Sequence, residues 1–151
     1  MVRVLQPLLP NLKKRLVKSP KVYIGDRGLL QALLGLGSCD ELLGHPVFGT
    51  SWERMCIENI CAVLSDWQPA FHRTSGGTEV DLVLEQGQRR FAFEFKASLT
   101  PNLTRGFYNA IEDIAPEQTW VVYSGTDNCP VAQNVQVTGL FELLEHFRAG
   151  R

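Results

Sequence analysis

Glu79, Asp81, Glu94 and Lys96 carry side chains whose types and spacing could do chemistry. They stand in two short segments, Glu79-Val80-Asp81-Leu82-Val83-Leu84 and Phe91-Ala92-Phe93-Glu94-Phe95-Lys96. Both segments alternate apolar and polar residues, the period-two pattern of strands with distinct faces. Phe91, Phe93 and Phe95 point one way, while Ala92, Glu94 and Lys96 point the other. Val80, Leu82 and Leu84 share a face opposite Glu79, Asp81 and Val83. Gln86-Gly87-Gln88-Arg89 lies between them, with Gly87 placed to open a type II′ hairpin turn. With Gly87-Gln88 as the turn, Asp81 lies across from Glu94 and Glu79 across from Lys96. A turn at Gln86-Gly87 shifts the pairing by two and keeps the same residues on the same face. Carboxylates facing each other across a ladder repel, so the pair calls for a cation between them or a proton on one. Lys96 or a divalent metal can supply that charge. Hard oxygen ligands in this number suit Mg²⁺ or Mn²⁺, which take one or two carboxylates plus waters and substrate phosphate.

The spacing Asp81-(12 residues)-Glu94-Phe95-Lys96 is that of PD-(D/E)XK phosphodiesterases. In those enzymes the carboxylates hold the metal, and the lysine positions or deprotonates the attacking water. The alternation supports this reading by gathering the three groups on one face of adjacent strands. A solvated sheet face bearing an Asp–Lys or Glu–Lys cross-strand pair accounts for the same pattern.

A helix over 50–67 is expected to deliver a further carboxylate. Thr50-Ser51-Trp52-Glu53 has capping-box spacing, with Thr50 as N-cap and Glu53 three residues on. Trp52, Cys56, Ile60, Val63 and Trp67 make an apolar stripe widened by Ile57, Cys61 and Leu64, and Pro69 ends the element. Glu53 lies at the mouth of that face. It either completes the capping box or helps to order metal or water from the helix. Glu58 shares a polar flank with Arg54 at i, i+4, a routine surface pair. His45, His72 and His146 are not spaced as ligands for one another, and none is assigned a role. No Ser/His/Asp or Cys/His arrangement presents itself.

The remaining elements frame these residues. Val22-Tyr23-Ile24 is a short strand candidate, and Leu29 to Leu36 a short helix that stops at Gly35-Leu36-Gly37. Ala70-Phe71-His72 is a short strand and Ser75-Gly76-Gly77 a loop. After Pro101, a helix over 103–115 carries Phe107, Ala110, Ile111 and Ile114 on one face. Thr119 to Tyr123 is a buried strand, Val135-Gln136-Val137 another strand, and Leu140 to Phe147 a final amphipathic helix. The order from residue 50 is α-β-β-β-α-β-β-α. It predicts an α/β fold in which an antiparallel hairpin core is joined by a strand entering through a crossover helix, giving a mixed sheet flanked by helices.

The chain has 151 residues, with 44% hydrophobic and 21% charged, so collagen-like and wholly disordered classes are out. A formal net charge of −1 hides an asymmetry. Residues 1–30 hold seven bases against one acid (+6), and residues 31–151 hold eight bases against fifteen acids (−7). Residues 1–20 contain Pro7, Pro10, Pro20 and the run Lys13-Lys14-Arg15-Leu16-Val17-Lys18, and read as a basic linker or docking arm. Residues 21–151 form the domain. No apolar run approaches a membrane span and no secretory signal is visible. Cys39, Cys56, Cys61 and Cys129 show no CxxC pairing, which fits reduced thiols and a cytoplasmic chain. No Gly-rich phosphate loop is present, so no ATP site is expected in this chain.

Three stretches together resemble a known family. They are Lys18-Ser19-Pro20-Lys21-Val22-Tyr23-Ile24-Gly25-Asp26-Arg27-Gly28-Leu29-Leu30, then Arg73-Thr74-Ser75-Gly76-Gly77-Thr78-Glu79-Val80-Asp81, then Phe93-Glu94-Phe95-Lys96. They are similar to the C-terminal domain of unknown function carried by many bacterial and archaeal AAA-type predicted ATPases, with Gly49 and Trp52-Glu53 fitting the same pattern. The resemblance implies a PD-(D/E)XK, restriction-endonuclease-like fold. It places Asp81 and Glu94 at the metal, Lys96 and Glu53 in catalysis, and Glu79 nearby. It also implies an ATPase module in cis or in trans; no such module is present here, so the chain is expected to be a separated domain, a gene remnant or a fragment. The helix over 103–115 lacks the Gln-x-x-x-Tyr element of the RecB-like branch.

Two functions are therefore expected as alternatives. One is a Mg²⁺- or Mn²⁺-dependent phosphodiesterase acting on DNA or RNA. The other is a catalytically inactive nuclease-fold module that binds nucleic acid or a partner for an ATPase. Neither involves a membrane.

Overall fold

The hairpin that carries the acidic residues forms at the register set by its glycine. In the computed structural model, which describes residues 2–8, 19–24, 35 and 38–150, β4 (Glu79–Gln86) and β5 (Arg89–Lys96) pair antiparallel from Leu82↔Phe93 to Gln86↔Arg89. Gly87 turns the chain at φ 61° and Gln88 keeps a negative φ, the combination of a type II′ turn.

Around this hairpin lies one mixed eight-stranded sheet, in the order β2-β1-β3-β4-β5-β6-β8-β7. The other strands are β1 (Val2–Pro7), β2 (Lys21–Ile24), β3 (Gln68–Arg73), β6 (Gln118–Tyr123), β7 (Cys129–Ala132) and β8 (Val135–Gly139). The helices are α1 (Cys39–Gly44), α2 (Phe48–Val63), α3 (Arg105–Ile114) and α4 (Leu140–Ala149). As expected, β6 enters parallel to β5 after the crossover helix α3. The Thr104 hydroxyl caps α3 by accepting from the Phe107 amide.

The sheet is covered on both faces. On one side Cys56, Ile57 and Ile60 of α2 and Leu143 and Leu144 of α4 pack on Leu82, Leu84, Phe93 and Trp120. On the other, Ala110 and Ile114 of α3 pack on Ala70, Val80, Val83 and Ala92. The three phenylalanines of β5 do share a face: Phe93 and Phe95 belong to the α2–α4 side and Phe91 packs against it.

Several expectations are corrected. Residues 2–7 are not an arm. Val2–Pro7 is a strand between β2 and β3, antiparallel to one and parallel to the other, and Leu5 is fully buried. Leu5 faces the core while Val2 and Val4, on the opposite face, stay exposed, and Pro7 is tolerated because it ends the strand, with Leu8 donating to the Phe71 carbonyl beyond it. The basic run 13–18 and, except for Gly35, the helix expected over 29–36 lie outside the described residues.

The strict alternation over 79–84 also fails at one point. Between Ala70↔Val83 and His72↔Val80, two steps along β3 span three along β4, so β4 carries a bulge at Asp81-Leu82. Val80 consequently joins Val83 on the α3 side, while Leu82 and Leu84 face α2. Finally, α2 begins at Phe48, with Val47 at the N-cap position and no side-chain cap. Thr50 sits inside the first turn, so Glu53 is not part of a capping box.

Candidate functional site

The carboxylates converge where β4 begins and β5 ends, beside the start of α2. An open cleft of about 430 Å³ is lined by Thr50, Glu53, Glu79, Asp81, Glu94 and Lys96, among others. The four acidic residues and the lysine singled out by spacing are therefore neighbours. Their pairing, however, differs from the ladder expected.

Asp81 does not simply oppose Glu94. Its Oδ2 accepts the Phe95 amide at 3.0 Å, which holds the carboxylate against the backbone between Glu94 and Lys96. The bulge aims it there. Glu94 is 8% exposed; its Oε1 accepts from Lys96 Nζ at 2.8 Å, and its Oε2 is buried without a partner. An ionised oxygen left bare in a buried setting is costly. Burial raises the Asp81 carboxyl well above its ordinary value, and the charges of Glu94 and Glu53 push it further, against the Phe95 hydrogen bond and Lys21. Glu94 is raised for the same first reason, although Lys96 opposes the shift. Burial disfavours the Lys96 ammonium, but its hydrogen bond to Glu94 and the surrounding carboxylates outweigh that and raise it overall.

Glu79 is not across from Lys96. Its carboxylate takes Lys21 Nζ at 2.7 Å and Arg73 Nε at 3.2 Å. Lys21, the first residue of β2, also lies 3.6 Å from Glu53 Oε1 and 3.7 Å from Asp81 Oδ1. Its ammonium stands 5.3 Å over the Phe71 ring. Burial works against this ammonium too, yet Glu79, Asp81 and Glu53 together raise it. Tyr23 Oη donates to Glu53 Oε1 at 2.5 Å, and burial followed by that hydrogen bond pushes the phenol strongly upward.

Lys21 and Tyr23 were absent from the candidate set. Their only sequence signal was membership of the Lys18–Leu30 block, because a cation 32 residues before its nearest partner class leaves no periodicity to read. The cation required between the carboxylates is thus supplied twice, by Lys96 and by Lys21. Glu58 is likewise reassigned. Its two oxygens accept Nε and Nη2 of Arg3 at 2.7 and 2.8 Å, rather than forming the expected pair with Arg54.

Four carboxyl groups (Glu53, Glu79, Asp81, Glu94) therefore meet three cations (Lys21, Arg73, Lys96) among the described residues. Among the described residues, no group of three or more His, Cys, Asp or Glu side chains is arranged to hold a metal ion. Cys56, Cys61 and Cys129 form no disulfide among the described residues. Among the described residues, no helix is long and apolar enough to cross a membrane.

Comparison with known proteins adds the following. Residues 48–143 match the family model described as domain of unknown function DUF4143. Uncharacterized protein Rv2008c of Mycobacterium tuberculosis and uncharacterized protein Mb2031c of Mycobacterium bovis are each 36% identical over 134 residues, covering 89% of this chain and 30% of the relative. The chain thus spans under a third of the length of these curated relatives. No solved structure matches.

Proposed function

The chain belongs to the DUF4143 family, and from that premise we propose that it is a Mg²⁺- or Mn²⁺-dependent phosphodiesterase domain with a restriction-endonuclease-like fold, acting on DNA or RNA beside an AAA-type ATPase module. The observation that carries this reading is the bare, buried Oε2 of Glu94, a residue that lines the same cleft as Asp81, whose Oδ1 is not used by the Phe95 amide. Two such oxygens suit a hard divalent ion that completes its shell with waters and substrate phosphate. A dedicated cage of three protein ligands is not needed for that mode of binding.

In this reading Asp81 and Glu94 hold the ion, which when bound would polarise the phosphate and a water. Lys96 keeps its proton because Glu94 raises it. It therefore acts as a donor that orients the attacking water or the phosphate, not as the base. Glu53 supports the cleft from α2 while fixed by Tyr23. Glu79 neutralises Lys21 and Arg73.

A specific observation favours a second reading, a non-catalytic module on the same scaffold. Lys21 already satisfies part of the acidic cluster, and no three-ligand metal group is present among the described residues. Plasmid nicking with Mg²⁺ or Mn²⁺ separates the two. The parent should nick, while Glu94→Gln and Lys96→Ala should lose at least about a hundredfold in rate. Equal rates in all three, or no nicking by the parent with either metal, would sink the enzyme reading.

A further inference from the structure

Lys21 stands apart from the other cations of the cleft because it is brought in by an edge strand. Among the described residues, the backbone pairing of β2 is with β1, over four residue pairs. Its ammonium contacts three carboxylates contributed by two different elements, Glu53 of α2 and Glu79 and Asp81 of β4. One of the oxygens it approaches, Asp81 Oδ1 at 3.7 Å, belongs to the pair proposed above as a metal seat. The other member of that pair, Glu94 Oε2, is buried and unpartnered, on a residue that lines the same cleft.

We propose that Lys21 is a built-in competitor for the divalent cation, an ammonium on β2 that weakens loading of the seat formed by Asp81 and Glu94. The inference rests on the metal reading and adds its regulation. An ion about 2.1 Å from Asp81 Oδ1 would lie no farther than about 6 Å from Lys21 Nζ in its present position. A double and a single positive charge at that distance, partly shielded from water, repel strongly. Binding of the ion and docking of the lysine are therefore coupled with negative sign, and the coupling is reciprocal. An ion in the seat loosens the hold of Glu53, Glu79 and Asp81 on Lys21, and so loosens β2. Whatever draws β2 away would load the site.

The test is Mn²⁺ binding to the full chain, followed by calorimetry and by the electron spin resonance signal of free Mn²⁺. Lys21→Met should bind at least about tenfold more tightly than the parent. Lys21→Arg, which keeps the charge, should stay near the parent, and Asp81→Asn should abolish binding. If Lys21→Met binds no more tightly while Asp81→Asn still abolishes binding, the metal seat stands and the competitor role falls. If neither the parent nor Lys21→Met binds Mn²⁺, both fall. Should Lys21→Met fail to fold without metal, Mn²⁺ titration must restore its cooperative unfolding in an EDTA-reversible way, and failure to do so overturns the proposal.

Discussion

Tyr23 Oη and Glu53 Oε1 are joined by a 2.5 Å hydrogen bond between the edge strand β2 and the first turns of α2. The bond fixes a carboxylate that would otherwise be free to swing, and it links two segments 30 residues apart. Tyr23→Phe keeps the ring and removes the donor. A hydrogen bond to a charged acceptor is worth about 1.5–3 kcal/mol, and Lys21 remains to share Glu53, so a loss of about 1–2 kcal/mol is expected in urea unfolding. Glu53→Gln in the Tyr23→Phe background should then cost less than it does alone. Full additivity in that double-mutant cycle would show that the two groups are not coupled.

Asp81 and Glu58 should give opposite pH slopes. Burial, reinforced by Glu94 and Glu53, raises Asp81. The folded state therefore holds that proton more tightly than the unfolded state, and stability falls as pH rises from the unfolded value toward the raised one. In metal-free buffer, Asp81→Asn should be more stable than the parent near neutral pH by about 1 kcal/mol, with the gap closing on acidification. The Arg3 hydrogen bonds lower Glu58, so its contribution is present above the unfolded value and disappears as pH falls through the depressed one. Thermal melts of the parent, Asp81→Asn and Glu58→Gln across pH would show parallel curves if either assignment is wrong.

Removal of residues 1–8 tests whether the N-terminus is structural. Leu5 and Leu8 are buried, at 0% and 5% exposure, and among the described residues the backbone pairing of β2 is with β1. Each leucine contributes about 1.5–3 kcal/mol on burial. The truncated chain should therefore lose on the order of 4 kcal/mol and also release Lys21 from the cleft. Retention of the parental urea midpoint would contradict the placement of β1.

Phe93→Ala tests the platform under the site. Phe93 is fully buried, stacks on Trp120 at 5.3 Å between ring centroids and precedes Glu94. Loss of a core phenylalanine costs about 3–5 kcal/mol. Phe93→Leu should recover more than half of that loss, as measured by denaturant midpoints.

The hairpin and its register were legible because two local rules agree there: alternation sets the faces and a glycine at positive φ sets the turn. The order of helices and strands from residue 50, except for the strand Cys129–Ala132, which the sequence reading missed, and the entry of β6 through the crossover helix α3 followed from equally local patterns. What escaped was decided by contacts between distant segments. Val2–Pro7 alternates like a strand, but three prolines and a basic run nearby outweighed that signal. The bulge in β4 leaves no mark in Glu79-Val80-Asp81-Leu82, since it arises from pairing with β3. Thr50 has an ideal capping spacing, yet the helix starts earlier because Phe48 already lies in the helical turn. Lys21, Tyr23 and Arg3 reach carboxylates on other elements, and such pairings depend on a fold that spacing alone does not give.

The bulge also changes what the sheet can tolerate. On its N-terminal side, Glu79 and Val80 run half a pleat out of phase with Leu82 and Leu84. The acidic cleft lies at that phase boundary. Deleting one residue at the boundary would restore a regular ladder and the unbroken backbone pairing that favours a strand. It would leave Glu79 and Val80 on the faces they now occupy, but it would remove the extra residue that lets Asp81 reach the Phe95 amide. In this protein the most regular sheet and the present acidic cluster are alternatives, and the chain is built around the irregular one.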